Sequence, residues 1–245
     1  MVPLQGLSSV IAFFLALALA APPPSTVVLR TPGFETAAMV PLLQGLSAAG
    51  LPARMVAVPD HPAASVAEAI ASLAEALGAV EGPIILVGHG VGGTLAARAV
   101  AAGALPDVQG LVLIGAPLPG PWSEPPPAPL PEALLFGEPL PAILPSAPAW
   151  TALLRPQAGE APLAAWGQPT LAIVGEVDNI GPPEAVRPGL PPGARFLRTG
   201  RPRLDGVSHD HGDLLRASEV PRLTARWILR QAAQRPSPTP NPTTP

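Results

Sequence analysis

Six short apolar runs recur along the chain with helical stretches between them, and that alternation carries most of what the sequence says about architecture. The runs cover Thr26 to Leu29, Arg54 to Val58, Ile84 to Val87, Leu111 to Ile114, Leu171 to Val174 and Arg195 to Arg198. They are rich in Val, Ile and Leu and show little polar alternation, the mark of strands buried on both faces. Helical spacing is expected around Ala37 to Ala49, across Val66, Ile70, Leu73 and Leu77, from Val91 to Ala102, and from Ser218 to Gln231 with Val220, Leu223, Trp227 and Ile228 on one side. Strand and helix in alternation predict an α/β domain, a mostly parallel sheet with helices on both faces. No internal repeat interrupts it.

Three segments break the rhythm. Residues 121–168, rich in Pro but holding Leu, Phe and Trp, separate two strands and are too long for a plain loop, so a lid or cap insertion is expected there. Residues 1–20 read as a signal peptide: an apolar run from Val10 to Ala21 with Ala18-Leu19-Ala20 in the small-x-small form, although no Lys or Arg precedes the run. Cleavage there would start the mature chain at Ala21 and export it; an uncleaved segment would anchor it to a membrane. Residues 235–245, RPSPTPNPTTP, have nothing to bury and read as a disordered tail, leaving residues 21–234 as the folded domain.

Composition narrows the chemistry further. The chain has 245 residues, 48% of them hydrophobic and only 13% charged, with 38 prolines and no Cys. All 14 basic residues are Arg, and the formal net charge is −3. Without a basic block, nucleic acid is not an expected partner. The lack of Cys removes thiol catalysis and thiolate metal sites.

One stretch raises the central question. In IILVGHGVGG, residues 84–93, an apolar run ends in Gly88, His89, Gly90, Val91 and Gly92, the spacing of Gly-x-Ser-x-Gly with Gly in place of Ser. With TVVLRTPGF (26–34), LAIVGEVDNIGPP (171–183) and GVSHDHGDLLRASEV (206–220), this stretch resembles the α/β-hydrolase fold superfamily, its esterase and lipase branch, from about Thr26 to Gln231. The resemblance implies an elbow whose nucleophile position, Gly90, is vacant. It also implies an oxyanion loop with Gly33 and Phe34, whose amide would act with that of Val91. Asp178 falls at the triad carboxylate. His209 or His211 falls at the triad base, the GVS lead-in favouring His209 and the spacing to Asp-Leu-Leu favouring His211. His89 takes the position that packs beside the site.

Thr94 and Ser123 are the nearest hydroxyls that could replace the missing nucleophile, and Thr94 is expected instead to bond back to its own helix. His209-x-His211-x-Asp213 also has the spacing of a metallo-β-lactamase motif, but Leu214 follows it and no His lies beyond His211, so neither a metal nor a cofactor is expected. Three readings of function stand. The chain binds an apolar small molecule or a protein partner under its lid without cleaving it; or it is an unconventional hydrolase using a His–Asp pair and the oxyanion amides; or it is an interaction module with a vestigial pocket. The first two expect a cavity lined by Trp122, Trp150 and Trp166; the third expects those rings to fill it. No membrane contact beyond the N-terminal segment is expected.

Overall fold

The computed structural model describes residues 24–30, 36–57, 65–118, 161–178, 181–200 and 212–234. All six expected strands form: β1 (Ser25–Arg30), β2 (Ala53–Ala57), β3 (Ile84–His89), β4 (Val108–Ile114), β5 (Thr170–Gly175) and β6 (Arg195–Thr199). They make one sheet in the order β2-β1-β3-β4-β5-β6, and every adjacent pair is parallel. Four of the helices match the expected ones: α1 (Thr36–Ala48), α2 (Val66–Leu77), α3 (Gly90–Ala101) and α6 (Glu219–Gln234). Two single turns, α4 (Pro183–Val186) and α5 (Asp213–Arg216), are too short to show a period in sequence.

Although the central strands β1, β3, β4 and β5 are largely apolar, their side chains still divide by the two-residue pleat. Val27, Leu29, Leu86, Leu113 and Val174 join Leu73 and Leu77 of α2 and Leu95 of α3 in one core layer. Val28, Ile85, Val87, Val112 and Ile173 point the other way, against Met39 and Leu42 of α1 and Val220, Trp227 and Ile228 of α6. Burial on both faces is thus what the unbroken apolar runs encode.

Local chemistry sets where the helices begin and how closely they approach. Ser65 caps α2, its Oγ accepting from the Glu68 amide at 3.2 Å, which satisfies one of the first-turn donors. On the opposite face Gly110 of β4 leaves a dimple for α6. A Cβ there would stand 2.5 Å from Ile85 Cδ1 and 3.4 Å from Trp227 Cη2. The last part of the expected lid segment is core: Leu163 is buried in a 3-10 turn (Leu163–Ala165), and Trp166 packs against the α2 and α3 layer just ahead of β5. Trp122 and Trp150, the tail and the N-terminal segment lie outside the described residues. Among those described, no helix is long and apolar enough to cross a membrane.

Candidate active site

The chain steps from β1 outward to β2, then returns to the other side of β1 to lay down β3. Loops leaving β1 and β3 therefore part in opposite directions, opening a crevice at the carboxyl edge of the sheet, where parallel α/β sheets bind their ligands. Residues 31–35, outside the described ones, follow β1 in the chain, and the GHGVGG turn closes β3.

That turn is an elbow in its backbone. His89 ends β3 in extended conformation at φ −105° and ψ 142°, and α3 starts at the next residue with no loop between. Gly90 absorbs the change of direction at φ +52°. Among the described residues every positive φ belongs to Gly, so nowhere else does a side chain bear this strain. Gly90 presents no atom above the sheet. Val91, half-exposed, sits in the first turn of α3, where an amide has no acceptor within the helix and the helix dipole is positive. His89 is fully buried beside it.

For α3 to leave the strand so abruptly, its backbone must touch the strand. A Cβ on Gly88 would lie 2.5 Å from Gly93 Cα and 2.7 Å from Gly93 N; one on Gly93 would meet Ala116 Cβ at 2.6 Å and Gly88 O at 2.8 Å. Thr94 adds a polar tie, its hydroxyl donating to Pro117 O at 2.6 Å, with Gly90 O a more distant acceptor at 3.3 Å. The hydroxyl is therefore spent on backbone carbonyls and faces no substrate.

The carboxylate is held by the neighbouring loop. Asp178 follows β5 and is 2% exposed, with Oδ1 accepting from the Gly181 amide at 2.9 Å. Gly181 in turn packs on residues 115–117, for a Cβ there would be 3.0 Å from Gly115 O and 3.2 Å from Pro117 N. The segment after β4 thus joins the elbow helix, through Thr94 and Gly93, to the acid loop, through Gly181. Glu176 lies two residues before Asp178, but Arg198 holds both its oxygens at 2.8 Å, so it is turned away along β6.

Gly33, Phe34, His209, His211 and Ser123 lie outside the described residues, as does any metal reading that uses the two histidines. Sequence reasoning passed over the segment 115–117, whose only signal was a Gly-Ala-Pro run after a strand. It also passed over Arg98, which is 2% exposed on α3 and partnered there; a single charge on an otherwise apolar helix was the available sign.

With that geometry in place, comparison with known proteins is direct: residues 6–240 match the Alpha/beta hydrolase family. The chain belongs to that family. Among solved structures, this α/β-hydrolase chain is similar to the RedJ thioesterase of the prodiginine biosynthetic pathway in Streptomyces coelicolor. The two share 22% identity over 86% of this chain and 91% of that one, with a TM-score of 0.61. It is similar also to MGS-MChE2, an α/β-hydrolase enzyme from a sediment metagenome of the Mar Chica lagoon in Morocco. There the identity is 18%, over 85% and 92% of the two chains, with a TM-score of 0.59. A crystallised membrane phospholipase A, described as a bacterial virulence factor, aligns at 20% identity over 86% and 80%, with a TM-score of 0.56. At these identities the likeness is one of fold. No curated protein matches the sequence.

Proposed function

We propose that this α/β-hydrolase-fold protein is a pseudoenzyme that binds a small apolar molecule at the carboxyl edge of its sheet and does not cleave it. Gly90 carries the reading. An elbow normally presents Ser, Asp or Cys at a backbone geometry that costs roughly 1–3 kcal/mol, and Gly at φ +52° relieves that cost while leaving nothing to attack a carbonyl. In a comparable triad enzyme, loss of the serine alone removes on the order of a million-fold in kcat. The rest of the machinery is assigned as follows. The amides of Phe34 and Val91 receive a polar oxygen of the ligand, Asp178 orients His209 or His211, and the part of residues 121–168 that precedes the core-packed Leu163 covers the ligand as a lid. The run from Val10 to Ala21 exports the chain, with cleavage before Ala21.

The buried, amide-bonded Asp178 supports a second reading, slow hydrolysis by a water that a His–Asp pair activates, because a decayed site has no need to keep a carboxylate out of solvent. A single experiment separates them. With p-nitrophenyl butyrate as probe, ligand-observed NMR is expected to report binding while nitrophenolate appears only at the uncatalysed rate. Saturable nitrophenolate release would overturn the proposal in favour of the water mechanism. Failure to bind any short-chain ester would overturn it in favour of an interaction module.

A further inference from the structure

The small net charge of the chain hides a segregation that only the fold brings out. From Glu219 to Gln234 there are three arginines against one carboxylate, Glu219 at the first position, and from Thr36 to Leu51 there is no charged residue at all. These segments are α6 and α1, which lie side by side on one face of the sheet. On α6, Arg222, Arg226, Leu229 and Arg230 are all exposed, and positions i, i+4, i+7 and i+8 share one helix face. A groove of about 620 Å3 runs between α1 and α6, floored by small residues such as Gly45, Ala48, Pro221 and Ala225. Leu229, 46% exposed, lines the same groove as the three arginines. A second depression, of about 460 Å3, adjoins it at Arg230 and adds Arg195 and three glutamines. Among the described residues, neither has an Asp or Glu in its lining. Among the described residues, none of these four arginines is ion-paired; Arg230 Nε donates only to the Arg226 carbonyl, at 3.3 Å.

We propose that this α1–α6 face docks on an anionic phospholipid surface. Four guanidinium groups that no described carboxylate pairs with, on a chain of net charge −3, make a local positive field. An exposed leucine on the same helix face as three arginines suits an interface where the apolar tip enters the headgroup layer and the long cationic side chains reach the phosphates. Nucleic acid fits less well, since the one ring in the described lining, Trp227, is 4% exposed and offers no face to stack a base, and the apolar Leu229 has no use against a phosphodiester backbone. A protein partner would want a deeper pocket for an aromatic anchor than these alanines and glycines offer. The second depression lies at the amino edge of β5 and β6, with Thr170 and Arg195 in its lining, whereas the elbow lies at the carboxyl end of β3. Docking on this face also extends membrane contact beyond the N-terminal segment, because three arginines one helical turn apart look like scattered charge in sequence and become a patch only on α6.

Cosedimentation of the full chain with phosphatidylcholine vesicles, with and without phosphatidylglycerol, tests this. Binding is expected to rise with phosphatidylglycerol, to fall steeply with salt, and to drop by roughly a hundredfold in the triple variant Arg222→Gln, Arg226→Gln, Arg230→Gln. The triple Lys variant should keep it, since the charge remains. All three side chains are exposed, so an unchanged circular dichroism spectrum certifies the fold. Equal binding to both vesicle types would overturn the proposal, because an apolar N-terminal run needs no lipid charge. So would an undiminished Gln variant, or binding to duplex DNA that anionic vesicles fail to displace. None of these outcomes touches the elbow, so this result and that of the ester-binding experiment stand apart.

Discussion

Gly90→Ser turns the protein into a measurable esterase toward p-nitrophenyl butyrate. The backbone at φ +52° already aims the Cβ of residue 90 off the end of β3, and the first turn of α3 already supplies the Val91 amide. What the wild type lacks is the oxygen. The new serine needs a base, because an unactivated hydroxyl is a poor nucleophile. The activity is therefore expected to vanish on adding only one of His209→Ala and His211→Ala, and the variant that abolishes it identifies the base. A thermal cost accompanies the gain. Placing a Cβ in the left-handed region costs about 1–3 kcal/mol, a fall in Tm of roughly 3–10 °C for a domain of this size. A folded Gly90→Ser variant no faster than wild type would mean that the oxyanion loop and the histidines no longer converge on the elbow.

Gly88→Ala is expected to be the most damaging single-methyl substitution at the site. Its Cβ would fall 2.5 Å from Gly93 Cα and 3.0 Å from Gly92 C, both backbone atoms that no rotamer change can move. Relief requires α3 to lift from β3, which stretches the contacts of Gly93 with Ala116 and of Thr94 with Pro117. A loss of about 3 kcal/mol or more is expected, at the upper end of overpacking costs, with a denaturant midpoint that shifts to match. Gly167→Ala is the control. An added Cβ there meets nothing within 4 Å, so the substitution should be neutral or stabilise slightly by restricting the unfolded chain. Equal stability of the two variants would contradict the close strand–helix contact. In a Gly90→Ser background, Gly88→Ala should also abolish the gained ester activity, because lifting α3 moves the elbow itself.

How much of this was legible in the sequence depended on the length of the signal. The six strands and four long helices were readable because each carries an apolar pattern long enough to have a period, and Gly90 because the spacing of its neighbours is distinctive. The contacts that hold the site together were not. Thr94 meets Pro117 across 23 residues of chain, and Gly181 meets Gly115 across 66; such pairs leave no local pattern. That Glu176 is turned away from the site is equally a question of partners, set by Arg198 on the adjacent strand. The basic face was invisible for the same reason, since its neutral half comes from α1 and its charged half from α6, at opposite ends of the chain.

The central claim is that the elbow is intact and empty, and intact-mass spectrometry after treatment with a fluorophosphonate tests it most directly. The reagent phosphonylates an activated serine and ignores unactivated hydroxyls. The wild-type protein is expected to keep its mass while Gly90→Ser gains one adduct per chain. A stoichiometric adduct on the wild type, at Ser123, Thr94 or any other residue, would show that the nucleophile had moved rather than vanished, and would contradict the account.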